Sequence, residues 1–170
     1  MTRLRSALIP VIFSDNSVPD SIHIRIAGSA DARAILAMEE LFPGDRMSAR
    51  SVRGLLRSPS VTIWIAERGG EGLGSLVLFL PRRWRGARIY SVVVVPAARG
   101  TGLGDRLVAA AEAAAEAAGR EAMTLEVRED NAAARALYAK RGYTVSEHLH
   151  GYYDDGVDGL RLRKPLSVRQ

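Results

Sequence analysis

The sequence predicts a mixed α/β domain in which about four helices flank both sides of a central, mostly antiparallel sheet of about seven strands. Three observations lead to this class. An alternating strand precedes two helical segments, three consecutive strands then form a meander, and helix, strand, helix and two strands complete the chain. At 170 residues the chain is long enough for one domain with a substantial core, which we place at residues 21–167.

The composition indicates a globular protein with a basic surface. Hydrophobic residues make up 47% of the chain, and the formal net charge of +5 comes almost entirely from arginine, since Lys140 and Lys164 are the only lysines. A basic chain suits phosphate-bearing cofactors, acidic partners or nucleic acid. The arginines are scattered and not interleaved with aromatic residues, so we expect no nucleic-acid partner.

Several kinds of site are excluded because the necessary residue types are missing or rare. Cysteine is absent, which excludes disulfides, thiolate metal sites and an acyl-cysteine intermediate. His23, His148 and His150 are the only histidines, so we expect no metal site.

Residues 1–20 are interpreted as an N-terminal tail, either loose or docked on the domain. Their apolar run follows an arginine pair, but Pro10 breaks it and no small-residue cleavage site follows. No segment approaches the roughly 18 apolar residues of a membrane span. We therefore expect a cytoplasmic protein without a membrane partner, with secretion as the less favoured alternative.

The first half of the chain is predicted to form four strands and two helices. Isoleucines alternate with polar residues in a strand at 21–28. A helix follows over 29–42, with Ser29 or Asp31 as its candidate cap, and Pro43-Gly44 ends it. A second helix and three strands follow at 48–58, 61–68, 73–81 and 87–95. The last of these strands is almost wholly apolar toward its end, as a central strand covered on both faces should be.

The second half is predicted to form two helices and three strands. An alanine-rich helix is predicted at 102–118, a strand at 122–129 and a second helix at 131–141. Two further strands are predicted at 143–150 and 157–166. Gly119 and Gly142 lie just beyond the two helices, where glycine commonly ends a helix.

A glycine-rich turn connects the apolar third strand of the meander to the long helix. Glycine at 100, 102 and 104 lets the backbone approach a ligand, and Arg99 adds a fixed positive charge with forked donors. The first N–H groups of a helix have no intrahelical partner, so a phosphate placed there accepts several hydrogen bonds. The alternative is a plain glycine-rich connection.

The spacing of this turn differs from those of two common nucleotide-binding loops. It lacks the G-x-G-x-x-G of dinucleotide-binding domains and the Lys-Ser/Thr pair of a P-loop. The remaining pattern, Arg-x-x-Gly-x-Gly after an apolar strand ending in Val-Pro, resembles the pyrophosphate-binding signature of the GCN5-related N-acetyltransferases. The resemblance implies that acetyl-CoA is the cofactor.

The resemblance also implies a set of cofactor-binding residues. In that superfamily the strand before the turn has a bulge and splays from its neighbour, so that its backbone amides pair with the pantetheine arm. The corresponding residues here are Val92, Val93 and Val94. The turn and the start of the helix contribute Arg99, Gly100, Thr101, Gly102, Leu103, Gly104 and Asp105.

Residues 125–143 resemble more closely the ribosomal-protein alanine N-acetyltransferases of bacteria and the catalytic subunits of eukaryotic N-terminal acetyltransferases. The shared residues are Leu-Glu-Val-Arg, an asparagine, Leu-Tyr and Gly-Tyr. Asn131 is placed to cap its helix, and the resemblance adds a contact to the cofactor. Tyr138 lies two turns later on the same helix face. It is either a core aromatic or, as the resemblance implies, a cofactor contact and the acid that protonates the departing thiolate.

Glu126 has two interpretations. It forms an ion pair with a neighbouring arginine such as Arg128 or, as the resemblance implies, acts as the general base. At pH 7 an α-amine has about one neutral molecule for six protonated ones, whereas a lysine side chain has about one for 2,500. A carboxylate base is therefore sufficient for an α-amine, which this reasoning modestly favours. Because the chain has no cysteine, the amine should attack the thioester directly.

The acceptor site is predicted from two loops. Tyr152 and Tyr153 resemble the Tyr-Tyr-x-x-Gly-x-Asp stretch that lines the peptide site of N-terminal acetyltransferases, although paired tyrosines can also simply close a strand turn. Phe42, Asp45 and Arg46 form the predicted opposite wall. The alanine acetyltransferases tend to have Pro-Trp-Ser in this second loop, and the absence of tryptophan here leaves the acceptor open.

The favoured function is therefore acetyl transfer to the N-terminal α-amine of a protein or peptide. One alternative is transfer to a small amine or a lysine side chain. A second is a catalytically silent acyl-CoA sensor, against which the presence of both Glu126 and Tyr138 argues. A third is a nucleic-acid-binding module, against which the scattered arginines and the lack of interleaved aromatic residues argue. We expect a monomer or a homodimer.

Overall fold

A computed structural model describes residues 21–42, 44 and 46–167. Within these residues the chain forms seven strands and four α-helices. In chain order they are β1 (His23–Ile26), α1 (Ala32–Glu39), α2 (Ala49–Arg57), β2 (Val61–Arg68), β3 (Glu71–Phe79), β4 (Gly86–Val94), α3 (Leu103–Ala117), β5 (Ala122–Arg128), α4 (Ala132–Lys140), β6 (Thr144–Leu149) and β7 (Gly159–Pro165). The predicted fold class is confirmed, while the predicted tail at residues 1–20 lies outside the described part of the chain.

All strands lie in one sheet with the order β1-β2-β3-β4-β5-β7-β6. Every neighbouring pair is antiparallel except β4 and β5, which are parallel. Helices cover both faces. Gly72 lies beneath Met38 of α1, whereas Gly74 lies beneath Leu103 and Leu107 of α3. Leu73, between these two glycines, has no partner in β2. This bulge reverses the faces to which the side chains of β3 point.

The centre of the sheet is open along one side of β4. Only Gly86–Arg88 of β4 pairs with β5, opposite Ala122–Thr124. Two residues further on, Tyr90 has no partner in β3, because Ile89 pairs with Leu78 and Ser91 with Val77. A bulge of this kind bends a strand and increases its twist. The end of β4 therefore runs away from β5.

Helix α1 is shorter than the 29–42 predicted from the sequence. Ser29–Asp31 forms a 3-10 turn, and the Asp31 carboxylate accepts a hydrogen bond from the N–H of Gly28 at 2.8 Å. At the other end, the N–H of Phe42 donates to the Glu39 carbonyl, a tight i→i−3 bond. Phe42 precedes a proline, and such a residue disfavours the helical conformation.

A buried carboxylate joins α3, α4 and β7. Glu112 of α3 accepts hydrogen bonds from Arg141, just beyond α4, at 2.7 and 3.2 Å, and from Lys164 of β7 at 3.0 Å. Arg141 also donates to Asp105 in the first turn of α3 at 2.9 Å. These ion pairs fix the two helices of this face against each other. No helix in the described residues is long and apolar enough to cross a membrane.

Candidate active site

The glycine-rich turn presents backbone N–H groups rather than a side-chain cap. Gly100 and Gly102 have φ of 74° and 79°, in the left-handed region that favours glycine. Gly102 is the N-cap of α3 and has no side-chain cap hydrogen bond. The first intrahelical bond runs from the N–H of Arg106 to the Gly102 carbonyl. The N–H groups of Leu103, Gly104 and Asp105 therefore have no acceptor within the helix.

The side chains around this turn have different partners. The Thr101 hydroxyl donates to the Ala98 carbonyl at 2.6 Å and so closes the turn. The Asp105 carboxylate is held by Arg141. Arg99 is exposed, with its guanidinium over the ring of Phe42. Of these three side chains, Arg99 is the one placed to bind an anion; Thr101 and Asp105 can contribute backbone N–H groups.

The end of β4 has one free edge. The N–H of Val95 donates to the Leu73 carbonyl at 2.9 Å. Antiparallel ladders alternate between bonded and outward-facing residues. The backbone groups of Val93 therefore face β3, and those of Val92 and Val94 face the opening beside β5. The sequence-based prediction included all three valines, but the ladder leaves two of them able to pair with an extended ligand.

Tyr138 lies on α4, next to Leu137, whose side chain approaches Gly104 together with that of Val94. Its side chain is buried, and its ring packs edge-on against Tyr143 with centroids 5.5 Å apart. Burial, with a smaller contribution from the nearby Tyr153, raises the pKa of Tyr138 to about 12. The phenol therefore remains protonated at physiological pH.

Glu126 lies on the other face of the sheet, between two arginines. Its side chain is 10% exposed. Oε2 lies 3.0 Å from Nε and 2.9 Å from Nη2 of Arg88, and Oε1 accepts a hydrogen bond from Nε of Arg161 at 3.1 Å. The ion pair suggested by the sequence exists, but Arg128 is not the partner. A lone pair on Oε1 remains to accept a further hydrogen bond.

Arg128 instead joins two loops. Its guanidinium forms ion pairs with Asp130, after β5, at 3.0 Å and with Asp155, between β6 and β7, at 2.8 Å. It also lies over the ring of Tyr153, 5.0 Å from the centroid. Arg128 thus positions the tyrosine loop, a role that the sequence did not reveal.

The two tyrosines that the sequence predicts for the acceptor site form one aromatic unit. The rings of Tyr152 and Tyr153 are nearly perpendicular, with centroids 5.2 Å apart. Tyr152 is 45% exposed and packs against Gly159 at the start of β7. Tyr153 is half-buried and close enough to interact with the phenol of Tyr138. The loop therefore brings an exposed aromatic surface beside the predicted acid.

The opposite acceptor wall is described only in part. Arg46 is exposed, and the N–H of Met47 donates to the buried carboxylate of Glu39 at 3.0 Å. The predicted contact Asp45 lies outside the described residues. Phe42 contacts Arg99 of the glycine turn, a position that the sequence-based prediction did not anticipate.

Asn131 performs the capping role predicted from the sequence. Its side-chain oxygen accepts a hydrogen bond from the N–H of Ala134 at 3.1 Å. Asn131 is exposed, so its side-chain amide can still donate a hydrogen bond to a ligand. A cofactor contact by this residue stays a prediction.

The arrangement fits a long ligand that carries a diphosphate. One end of the site has outward N–H groups and the guanidinium of Arg99. It also has two left-handed glycines with open space above them. The free edge of Val92 and Val94 precedes this turn in the chain, and the side chains of Val94 and of Leu137, the neighbour of Tyr138 on α4, both approach Gly104. Within the described residues, no cluster of histidine, aspartate or glutamate is arranged to hold a metal ion.

Comparison with known proteins identifies the family. The acetyltransferase (GNAT) family profile matches residues 31–143. N-alpha-acetyltransferase MAK3 of Arabidopsis thaliana is 32% identical over 102 residues, which cover 59% of this chain and 54% of that protein. The chain thus spans about half the length of this plant relative. The uncharacterized N-acetyltransferase YhfO of Bacillus subtilis is 32% identical over 133 residues, covering 72% of this chain and 89% of that protein.

The fold is also shared with solved structures. The ribosomal-protein-S18-alanine N-acetyltransferase of Escherichia coli superposes with a TM-score of 0.80 at 22% identity, covering 88% of this chain and 97% of the other. At this identity the likeness concerns the fold alone, whereas the family profile covers most of the described chain. The protein therefore belongs to the GNAT family of acetyltransferases.

Proposed function

We propose that the acceptor of this acetyl-CoA-dependent N-acetyltransferase is the N-terminal α-amine of a protein or peptide. The observation that carries the proposal is the aromatic unit of Tyr152 and Tyr153, which Arg128 holds beside Tyr138. An exposed aromatic surface next to the opening suits an extended peptide better than a small, strongly charged amine. The names of relatives such as the plant N-alpha-acetyltransferase support the same class of acceptor.

The chain supplies three kinds of contact to the donor. The N–H groups at the start of α3 and the guanidinium of Arg99 bind the diphosphate. Val92 and Val94 offer backbone groups to the extended arm, in the manner of an added strand. Acetyl-CoA, when bound, supplies a thioester carbonyl and a thiol leaving group with a pKa of about 8.5.

The acceptor amine approaches from the face that carries Glu126. Arg88 donates to one oxygen of the Glu126 carboxylate and Arg161 donates to the other. The remaining lone pair on Oε1 accepts a hydrogen bond from the amine or from a water beside it. An α-amine, with a pKa of about 7.8, needs only such modest assistance.

Tyr138 acts on the departing side as a hydrogen-bond donor. Full proton transfer from a phenol of pKa about 12 to a thiolate whose usual pKa is about 8.5 is uphill by about 5 kcal/mol. A hydrogen bond that strengthens as negative charge develops on sulfur needs no such transfer. The phenol therefore stabilises the leaving thiolate and keeps its own proton. The proton lost by the attacking amine passes to the water beside Glu126, and the thiolate takes a proton from solvent as it departs.

The experiment is a comparison of acceptors by the release of thiol from acetyl-CoA. One set consists of short peptides with a free N-terminus and no lysine. The matched set has the same sequences with a blocked N-terminus and one internal lysine, and a third set contains small amines such as polyamines and free amino acids. Mass spectrometry then locates the acetyl group.

We expect turnover with the free peptides and, at equal concentration, little with either other set. The Tyr152→Ala variant should raise the KM for peptides without changing the KM for acetyl-CoA. Turnover confined to small amines would exclude the peptide acceptor while leaving the donor site intact. The set of small amines is needed because the second acceptor loop lacks the tryptophan of the alanine acetyltransferases, which leaves the acceptor open.

A further inference from the structure

The guanidinium of Arg99 rests on an aromatic ring. Its Cζ lies 5.5 Å from the centroid of Phe42, the last described residue before the loop that follows α1. This is within the roughly 6 Å at which a cation over a ring face is attracted to it. The contact joins the glycine turn to the segment just after α1, although the two are far apart in sequence.

Arg99 differs from most of the arginines whose contacts define the fold. Six of those form ion pairs with carboxylates: Arg25, Arg85, Arg88, Arg128, Arg141 and Arg161. For Arg99, in contrast, the part of the chain that the structure describes provides no carboxylate partner. An aromatic ring orients a guanidinium through its face and leaves its charge and its N–H donors available at the edge.

Phe42 is itself held in place. Its N–H donates to the Glu39 carbonyl at 3.0 Å, and its half-buried ring packs against the hydrophobic core. The ring therefore forms a fixed support for Arg99, whose long side chain has many rotamers to lose on binding. A support of this kind reduces the conformational entropy that Arg99 loses when an anion binds.

We propose that Phe42 is a positioning residue of the diphosphate site: its ring holds the face of the Arg99 guanidinium so that the edge points to the donor's diphosphate. This inference rests on the proposed use of acetyl-CoA. It moves Phe42 from the acceptor wall, where the sequence places it, to the donor site. The ring acts through Arg99 and makes no contact with the reacting atoms.

The test measures binding by calorimetry with three ligands. CoA and dephospho-CoA both contain the diphosphate, whereas pantetheine lacks it. We expect Phe42→Leu to weaken CoA and dephospho-CoA by the same factor, about two- to thirtyfold, and to leave pantetheine unchanged. Phe42→Tyr, which keeps the ring, should bind all three ligands as the wild type does. In steady state, Phe42→Leu should raise the KM for acetyl-CoA and leave kcat and the peptide KM unchanged.

Two further variants separate this role from a general effect on folding. In an Arg99→Gln background, Phe42→Leu should cause no additional loss of CoA affinity, because the ring acts through the guanidinium. Trp84→Leu removes a partly exposed aromatic ring from the β3–β4 loop and should not change CoA binding.

Several outcomes would overturn the inference. One is that Phe42→Leu binds CoA as tightly as the wild type does. Another is that it loses affinity for pantetheine as well, or only for CoA, which carries one phosphate more than dephospho-CoA. The last is that only the KM for the peptide rises. If the wild type failed to bind CoA, the proposed function would fail with it. CoA binding by the wild type therefore distinguishes failure of this inference from failure of the function.

Discussion

Tyr138 and Glu126, the two residues predicted to handle protons, lie in opposite environments. Tyr138 is buried among aromatic rings, and burial raises its pKa to about 12. Glu126 lies between the guanidinium groups of Arg88 and Arg161. A phenol in the first environment donates a hydrogen bond without losing its proton. A carboxylate in the second can accept a further hydrogen bond on Oε1 from the acceptor amine or from a water beside it.

Tyr138→Phe should therefore lower kcat by at least about tenfold, since assistance by a positioned acid or donor is typically worth about 10²–10⁴-fold. The dissociation constant of CoA should stay within about twofold of the wild-type value, because the ring and its packing remain. Since the pKa of Tyr138 is about 12, the wild type should not lose activity between pH 8 and 10. Stopped-flow turnover and calorimetry measure the two quantities. An unchanged kcat at saturating substrates would contradict the role of the phenol.

The residues of the site could be predicted only where the signal is local. The glycine turn and the Asn131 cap lie within single stretches of sequence, and their predicted conformations agree with the structure. The partners of Glu126 are 38 and 35 positions away, and no periodicity identifies such pairs. The same is true of Arg128 and Asp155. Long-range ion pairs depend on strand register, which the sequence leaves undetermined.

At the scale of elements, α3 carries two roles on one helix. Its first turn faces the predicted diphosphate site, and Glu112 in its middle ties it to Arg141 and Lys164. Burial raises the pKa of Glu112, but hydrogen bonds and charge from Arg141 and Lys164 outweigh this effect, so the pKa lies below its usual value. The ionised carboxylate thus stabilises the fold.

Glu112→Gln should lower the free energy of unfolding at pH 7 by about 1–3 kcal/mol, because two cations lose their charged acceptor. A lowered pKa in the folded state gives stability that is complete above the unfolded-state pKa of about 4.3 and is lost as the pH falls through the folded-state value. The difference between wild type and variant should therefore shrink below about pH 4.3. Urea unfolding at pH 7, 5 and 3.5 measures it.

Glu116→Gln is the matched control, since Glu116 lies on the same helix and has no ion pair within the described residues. It should change the stability by less than about 0.5 kcal/mol. The ion pairs of Glu112 would not be the source of the effect if both variants lost the same stability. The same would follow if the loss in Glu112→Gln stayed constant down to pH 3.5.

At the scale of the whole molecule, the sheet consists of two parts that pair over only three residues. The parts are β1–β4 and β5–β7, joined by the short register between Gly86–Arg88 and Ala122–Thr124. Helix α3 packs on β3 of the first part, and the ion pair of Arg141 with Glu112 joins α3 to the end of α4. A donor bound along Val92 and Val94 would supply hydrogen bonds that β5 does not make.

Hydrogen exchange should reveal this added pairing. The amides of Val92 and Val94 should exchange rapidly in the free protein, and the amide of Val95, which donates to Leu73, should exchange slowly. CoA at 100 times its dissociation constant should slow exchange at Val92 and Val94 by about 100-fold. Mass spectrometry of short peptides from this strand measures the change. Slow exchange at both valines before CoA is added would show that the edge is already occupied.

The bulge at Tyr90 determines the geometry of this opening. Ile89 and Ser91 already point to opposite faces of the sheet, because their partners Leu78 and Val77 are consecutive in β3. Deleting Tyr90 would therefore restore one-to-one pairing with β3 and leave the direction of every other side chain in β4 unchanged. The straightened strand could then continue beside β5 and satisfy its own edge. We expect such a variant to unfold at the same temperature as its parent or above it and to have lost its affinity for CoA. The extra residue would then be required for CoA binding and would add nothing to thermal stability, as is common for residues that serve activity.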